Sequence, residues 1–220
     1  MFLKVLSFFM PWALRRRVLQ SWYGFEIHPR ARIGIAWIFP GKLIMAEGAR
    51  IDHFTVAVNL DRIELGLNAT IGRGNWITGF PTRTDSQHFK HQSGRKAELL
   101  VGQNAAITKY HHLDCTNQIE IGAFTTIAGY RSQFLTHSID VLENRQDSAP
   151  IKIGEYVFVG TNVVVLGGSS LPSYSILSAK SMLNKDYKDQ WKLYGGVPAR
   201  MIKDIPTTAN YFNRKEGYVY

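Results

Sequence analysis

Residues 153–183 read IGEYVFVGTNVVVLGGSSLPSYSILSAKSML, and in this stretch Ile153, Val159, Val165, Leu171, Leu177 and Leu183 recur at intervals of six. Most of the residues between them are small, polar or Gly. A helix repeats its apolar contacts every three and four residues and a half-buried strand every two, so a beat of six is neither. It describes a short flat strand and a corner, repeated, so that the chain coils about an axis. Three such sides per turn make a triangular prism with the aliphatic side chains inside.

The same beat runs upstream with interruptions: Ile27 and Ile33, less clearly Ile51, then Leu65, Ile71 and Ile77, then Val101, Ile107 and Leu113, then Ile121 and Ile127. Four restarts share an aliphatic, any residue, an aliphatic and Gly: Ile63 to Gly66, Leu99 to Gly102, Ile119 to Gly122 and Ile151 to Gly154. Each is a re-entry into register after a loop. The Gly suits a corner that needs unusual dihedrals or a close backbone approach. The fold class expected is an all-β solenoid over residues 27–186, with an apolar and basic segment at 1–26, a C-terminal segment at 187–220, and loop insertions at 78–98 and 138–150.

The chain has 220 residues, 45% of them hydrophobic, enough for one large domain whose core runs along an axis. A single cysteine, Cys115, excludes an internal disulfide and fits a reducing, cytoplasmic setting. Its expected role is a small apolar filler. The formal charge of +9 gives a general attraction for polyanions. Nucleic acid is not the expected partner, because no basic stripe interleaved with aromatics forms a recognisable module. The opening, Met1 to Leu14, is apolar and is followed by Arg15, Arg16 and Arg17. It is too short to span a bilayer, and its cations follow the apolar run, unlike those of a cleaved signal peptide. Two readings stay open: packing against the end of the prism or a neighbouring subunit, and an interfacial anchor on an anionic leaflet through residues 1–17.

Rigid coils with short corners leave no room for a site, so the insertions attract attention. The loop at 78–98 is polar and is expected to project, to reach a neighbouring subunit or cover a substrate. The loop after Ser138 follows His137 directly. Of the seven histidines, His28 and His53 read as surface or corner residues, and His88 and His91 lack a third ligand of fixed geometry for a metal. His111 and His112 lie one coil before His137. Parts of successive coils lie about 4.8 Å apart, so a residue of that coil can meet His137. His111 and His112 are candidate substrate contacts, with a structural role bonding a corner as the competing reading.

At this point the chain resembles the hexapeptide-repeat acyltransferases. The resemblance covers about Ile27 to Ile205 and rests on the repeats, on the closing run Leu193 to Arg200 (LYGGVPAR) and on Phe134 to Ser138 (FLTHS). It implies a left-handed parallel β-helix, a homotrimer with sites shared between subunits, acetyl-CoA as co-substrate and no metal. It also implies that His137 is the general base, and the acceptor expected by resemblance is a sugar or glycan of surface-polysaccharide synthesis. Asp140 or Asp114 is available to fix the imidazole tautomer, as is a backbone carbonyl. For the cofactor the resemblance points to Phe158, Gly160, Thr161, Ser178 and Ala179 along the pantetheine arm, and to Lys185, Arg200 and Lys203 near the phosphates. Lys180 stands where the family often has Gly, and would narrow the groove or add a phosphate contact. Two readings compete: a γ-type carbonic-anhydrase-like zinc hydratase built from His112, His137 and a histidine of the 88–91 loop, and a non-catalytic β-helix scaffold.

Overall fold

In the computed structural model, which describes residues 2–219, each six-residue unit forms one side of a prism. The sides stack into three sheets of seven, nine and seven strands, parallel throughout except for the last pair of the second. Ile153 lies over Leu171, Val159 over Leu177 and Val165 over Leu183, and all six side chains are buried in one continuous core. Parallel strands flanked by corners need this aliphatic interior, because each coil buries little by itself and is held by its neighbours.

The beat lost after Ile127 has a simple cause. One extra residue in the corner at 129–132 moves the next inward position to Phe134, which stacks between Leu113 and Val165. The beat is faint in coil two for another reason: its inward residues are Met45, Ile51 and Ala57, and only one is an aliphatic of the usual size.

Of the two reasons offered for the Gly in each restart, close approach is the one that applies. A Cβ on Gly122 would lie 2.4 Å from the carbonyl carbon of Gly154, and one on Gly102 would lie 2.6 Å from the Ala123 nitrogen. The left-handed backbone falls two residues later, at Asn68, Asn104, Phe124 and Tyr156. Such a conformation is uncommon for aromatic residues. Here the rings stack down the prism edge, Phe124 on Tyr156 at 4.6 Å, Tyr156 on Tyr174 at 5.4 Å and Tyr174 on Trp191 at 4.6 Å. The C-terminal segment straps this ladder: the Arg214 guanidinium sits 5.6 Å from the Tyr156 ring centre and Phe212 packs against Trp191. Tyr211 donates to the Val157 carbonyl, whereas Tyr218 is exposed and Tyr220 lies outside the described residues.

Two helices close the other end, α1 (Phe2–Phe8) and α2 (Trp12–Tyr23). Leu19 enters the core, and Gly24 ends α2 in the left-handed conformation, its N–H donating to the Gln20 carbonyl and the Phe25 N–H to the Leu19 carbonyl. Arg15 does not belong to a surface basic cluster. It is 3% exposed, and its guanidinium donates to the carbonyls of Gly34 at 2.7 Å and Ala36 at 2.6 Å, groups at the open end of the first coil.

The first insertion, between Thr78 and Glu98, has no regular structure, and it folds back over its own subunit. The second is a β-hairpin, His137–Asp140 paired antiparallel with Arg145–Ser148, and it begins at His137 itself. Strand Lys192–Gly196 extends the second sheet and turns into the exposed strand Ala199–Asp204.

Candidate active site

Asp114 ends the strand His112–Asp114, beside Leu135 of the next coil, so residues just beyond Leu135 pass over its carboxylate. His137 is two residues further on. Its backbone N–H donates to Asp114 Oδ2 at 3.2 Å, and its Nδ1 makes a short hydrogen bond to the same oxygen. The other carboxylate oxygen accepts the Thr116 N–H at 3.1 Å and the Thr116 hydroxyl at 2.7 Å. Thr136 donates to the Asp114 carbonyl at 2.7 Å and accepts the Asn117 N–H at 2.9 Å, locking the two coils together.

Burial alone would push the Asp114 carboxyl up, but the donors from His137 and Thr116 outweigh it and the pKa falls below the ordinary range. The hydrogen bond to Asp114 raises the pKa of His137 against a smaller desolvation effect. Asp114 is therefore an anion that holds Nδ1–H, which leaves Nε2 with its lone pair in the neutral form. The Asp114 side chain is 6% exposed and that of His137 is 43% exposed. Nε2 has no hydrogen-bond partner among the described residues, and the ring borders a cleft of about 360 Å³ with Ser138, Asp147, Ser148, Leu166 and Gly167.

Of the two carboxylates weighed as partners of His137, Asp140 is ruled out by position. It sits near the hairpin turn, where its Oδ1 accepts the N–H groups of Leu142 at 3.1 Å and Glu143 at 3.2 Å, with Arg145 opposite. His111 is corrected as well. It is 1% exposed and lies in an internal corner, its Nδ1 accepting the Ser132 N–H at 3.1 Å and its Nε2 bonded to Thr108 at 3.0 Å. It cannot touch a substrate. Burial lowers its pKa to about 4. The stability this neutral histidine contributes is present above the unfolded pKa of 6.5 and is lost as pH falls toward 4, about 3 kcal/mol in all. Urea midpoints between pH 7 and pH 4 should show that loss, and His111→Asn should flatten this limb by about one proton. His112 is half-buried, on the same strand as Asp114 and two residues from it, between Trp76 and Gln133 of the flanking coils.

The first insertion, expected to project toward a neighbouring subunit or cover a substrate, packs against the hairpin of its own chain beside His137. Gln92 donates to Asp147 at 2.7 Å and to the Ser148 carbonyl at 2.6 Å, tying the loop to the hairpin. Phe89 stands perpendicular to the His137 ring, 6.2 Å between centres, and the Arg95 guanidinium covers Phe89 at 4.7 Å. Arg95 also donates to the Thr116 carbonyl at 2.6 Å, beside the ligands of Asp114. His91 contacts Asp147 at 3.4 Å and His88 packs on Phe80.

The cofactor candidates follow the second sheet and the corner after it. Phe158 lies between Thr126 and Ile176 and under Tyr211. Coils approach closely at Gly160, where a Cβ would lie 2.6 Å from the Ala179 nitrogen. The Thr161 hydroxyl is occupied by the Tyr130 backbone, donating to its carbonyl at 3.0 Å and accepting its N–H at 3.1 Å, and Ser178 bonds Ser181 at 2.9 Å. Lys180 occupies the corner in the left-handed conformation, exposed. Lys185 is exposed, and Arg200 and Lys203 are exposed on the last strand. The Gly160 and Ala179 corner precedes the third side of the prism and His137 follows it, so one chain does not bring the two groups together.

No protein-family model matches the chain. A curated relative, YvoF of Bacillus subtilis, itself assigned only provisionally as an acetyltransferase, is 32% identical over 85 residues. The match takes in 39% of this chain and 47% of that protein, so the chain spans about half the length of the relative. Among solved structures, the hexapeptide-repeat acetyltransferase VCA0836 of Vibrio cholerae, in complex with acetyl coenzyme A, superposes with a TM-score of 0.52 at 23% identity, over 64% of this chain and 70% of that one. A single-residue variant of AntD, an N-acyltransferase of Bacillus cereus, in complex with dTDP-4-amino-4,6-dideoxyglucose and coenzyme A, superposes with a TM-score of 0.56 at 16% identity, over 90% and 93%. These likenesses establish the fold as the left-handed parallel β-helix. The six-residue repeat and the three-sheet prism are the form this fold takes in the chain.

Proposed function

We propose that this protein transfers an acetyl group from acetyl-CoA to a hydroxyl, less readily an amine, of a sugar or glycan, with His137 as general base. The observation that carries this reading is the His137–Asp114 pair: a buried anion fixes Nδ1–H of a half-exposed histidine that lines an open cleft. A hydroxyl attacks a thioester only as its proton leaves, and a neutral imidazole within hydrogen-bond reach accepts it, an effect of about 10²–10⁴-fold. Attack is direct, with no acyl-enzyme. Cys115 is fully buried, and desolvation raises its thiol pKa well above the ordinary value, so it is no nucleophile.

Acetyl-CoA is placed along Phe158, Gly160, Thr161, Ser178, Ala179 and Lys180, with Lys185, Arg200 and Lys203 toward its phosphates. The solved relatives bound to acetyl coenzyme A or coenzyme A support that choice of co-substrate, and the nucleotide-linked sugar bound to AntD supports a sugar acceptor. The separation of this strip from His137 across one side of the prism favours a homotrimer in which one subunit's base serves its neighbour's cofactor. The reaction is assigned to the cytoplasmic side, where acetyl-CoA is available. Arg200→Glu together with Lys203→Glu is expected to raise KM for acetyl-CoA about tenfold or more and to leave the fold intact, both residues being exposed. An unchanged KM removes them from the site.

The test is calorimetric titration of metal-stripped protein with acetyl-CoA. Micromolar affinity supports the reading. No binding, with zinc recovered from the untreated protein, favours the hydratase reading, in which a ligand set would have to be completed by a neighbouring subunit: among the described residues of one chain, no three His, Cys, Asp or Glu side chains come together.

A further inference from the structure

The cap that closes the prism presents two unlike surfaces. Val5 and Leu6 on α1, and Phe9 just after it, are exposed, Phe9 to 78%. Across the Met10–Pro11 turn, the solvent side of α2 carries Leu14 and Arg17, with Arg16 half-buried beside them and Trp22 exposed to 71% near its end. Residues 1–25 hold four cations, Lys4, Arg15, Arg16 and Arg17, and no Asp or Glu. Lys4 and Arg15 are used internally, Lys4 over Phe39 at 4.7 Å and Arg15 on the first coil, so Arg16 and Arg17 are the cations left to face outward.

We infer that this cap is a docking surface for an anionic lipid bilayer, with Val5, Leu6 and Phe9 entering the acyl boundary, Trp22 at headgroup level and Arg16 and Arg17 on the lipid phosphates. The chemistry matches that of an interfacial helix: an apolar face beside cations, with no acid to repel the surface. No helix among the described residues is long and apolar enough to cross a membrane, and two short helices at the end of a prism need only lie on one. Docked by this end, the prism stands with successive coils about 4.8 Å apart. His137, which follows the fifth coil, is then roughly 20 Å above the cap.

The experiment is co-sedimentation of the full chain with vesicles of phosphatidylcholine alone and of equal parts phosphatidylcholine and phosphatidylglycerol. Binding is expected to the anionic vesicles and to weaken at high salt, where screening shortens the reach of the charges. Leu6→Ser with Phe9→Ser should lower partitioning at least tenfold, and Arg16→Glu with Arg17→Glu should abolish the preference for the anionic lipid. Both double variants should keep the parent's melting temperature within a few degrees. Absence of binding by the parent chain overturns the proposal, as does undiminished binding by the serine variant. A fall in oligomer mass for the serine variant, measured by light scattering, also overturns it by showing that the apolar face joins copies of this chain.

Discussion

His137→Ala is expected to lower the rate of acetyl transfer on the order of 10²–10⁴-fold, the range that a positioned base supplies, and to leave the acetyl-CoA dissociation constant within a few-fold. The side chain is 43% exposed, and its ring makes one hydrogen bond, to Asp114, so its removal leaves one buried carboxylate oxygen still served by the His137 backbone N–H. Steady-state rates and calorimetry on the same preparation separate the two effects. A variant that loses cofactor binding in proportion to rate would make His137 a structural residue, and a variant that loses nothing would favour the scaffold reading.

Asp114→Asn should act on two quantities in opposite senses. In the parent protein Asp114 raises the pKa of His137, so a larger share of the imidazole is protonated at neutral pH and the rate should climb with pH along a limb lying above 6.5. With asparagine the limb moves to lower pH, and more His137 is neutral at pH 7. The plateau rate should nonetheless fall at least tenfold, because the neutral amide no longer selects the tautomer with Nδ1–H or holds the ring over the cleft. A full pH–rate profile distinguishes this from simple loss of fold: an acid-shifted limb with a lowered plateau is expected. An unshifted limb would mean that the observed titration belongs to another group. Stability should drop as well, since Asp114 is buried and joins His137 to Thr116.

The prism itself was legible in the sequence because a six-residue beat has few other physical meanings, and every aliphatic residue counted from Ile27 to Leu183 lies in the core. The beat failed where a corner gained one residue before Phe134 and where Ala57 replaced a larger side chain. For the candidate site, adjacency in the coil sufficed to bring Asp114 into consideration for His137, since stacking register is local. It could not exclude Asp140, because a hairpin and an open loop give the same polar composition. Three other features depended on long-range packing. Arg15 looks like its neighbours Arg16 and Arg17 in a basic triplet, and only the first coil's carbonyls distinguish it. His111 and His112 are adjacent and point to opposite environments, which a strand's alternation implies once its register is known. Phe89 reaches His137, with Arg95 over its ring, through a loop with no periodicity, so nothing in their spacing foretold the contact.

The measurement closest to the central claim is release of CoA thiol from acetyl-CoA in the presence of sugar, nucleotide-sugar and lipid-linked glycan acceptors, run for the parent chain and His137→Ala side by side. The account predicts acceptor-dependent thiol release by the parent chain that falls at least a hundredfold in the variant, with an acetylated acceptor detected by mass. Equal rates from the two proteins would contradict the assignment of His137, and an absence of thiol release from the parent chain with every acceptor would contradict the assignment of the reaction.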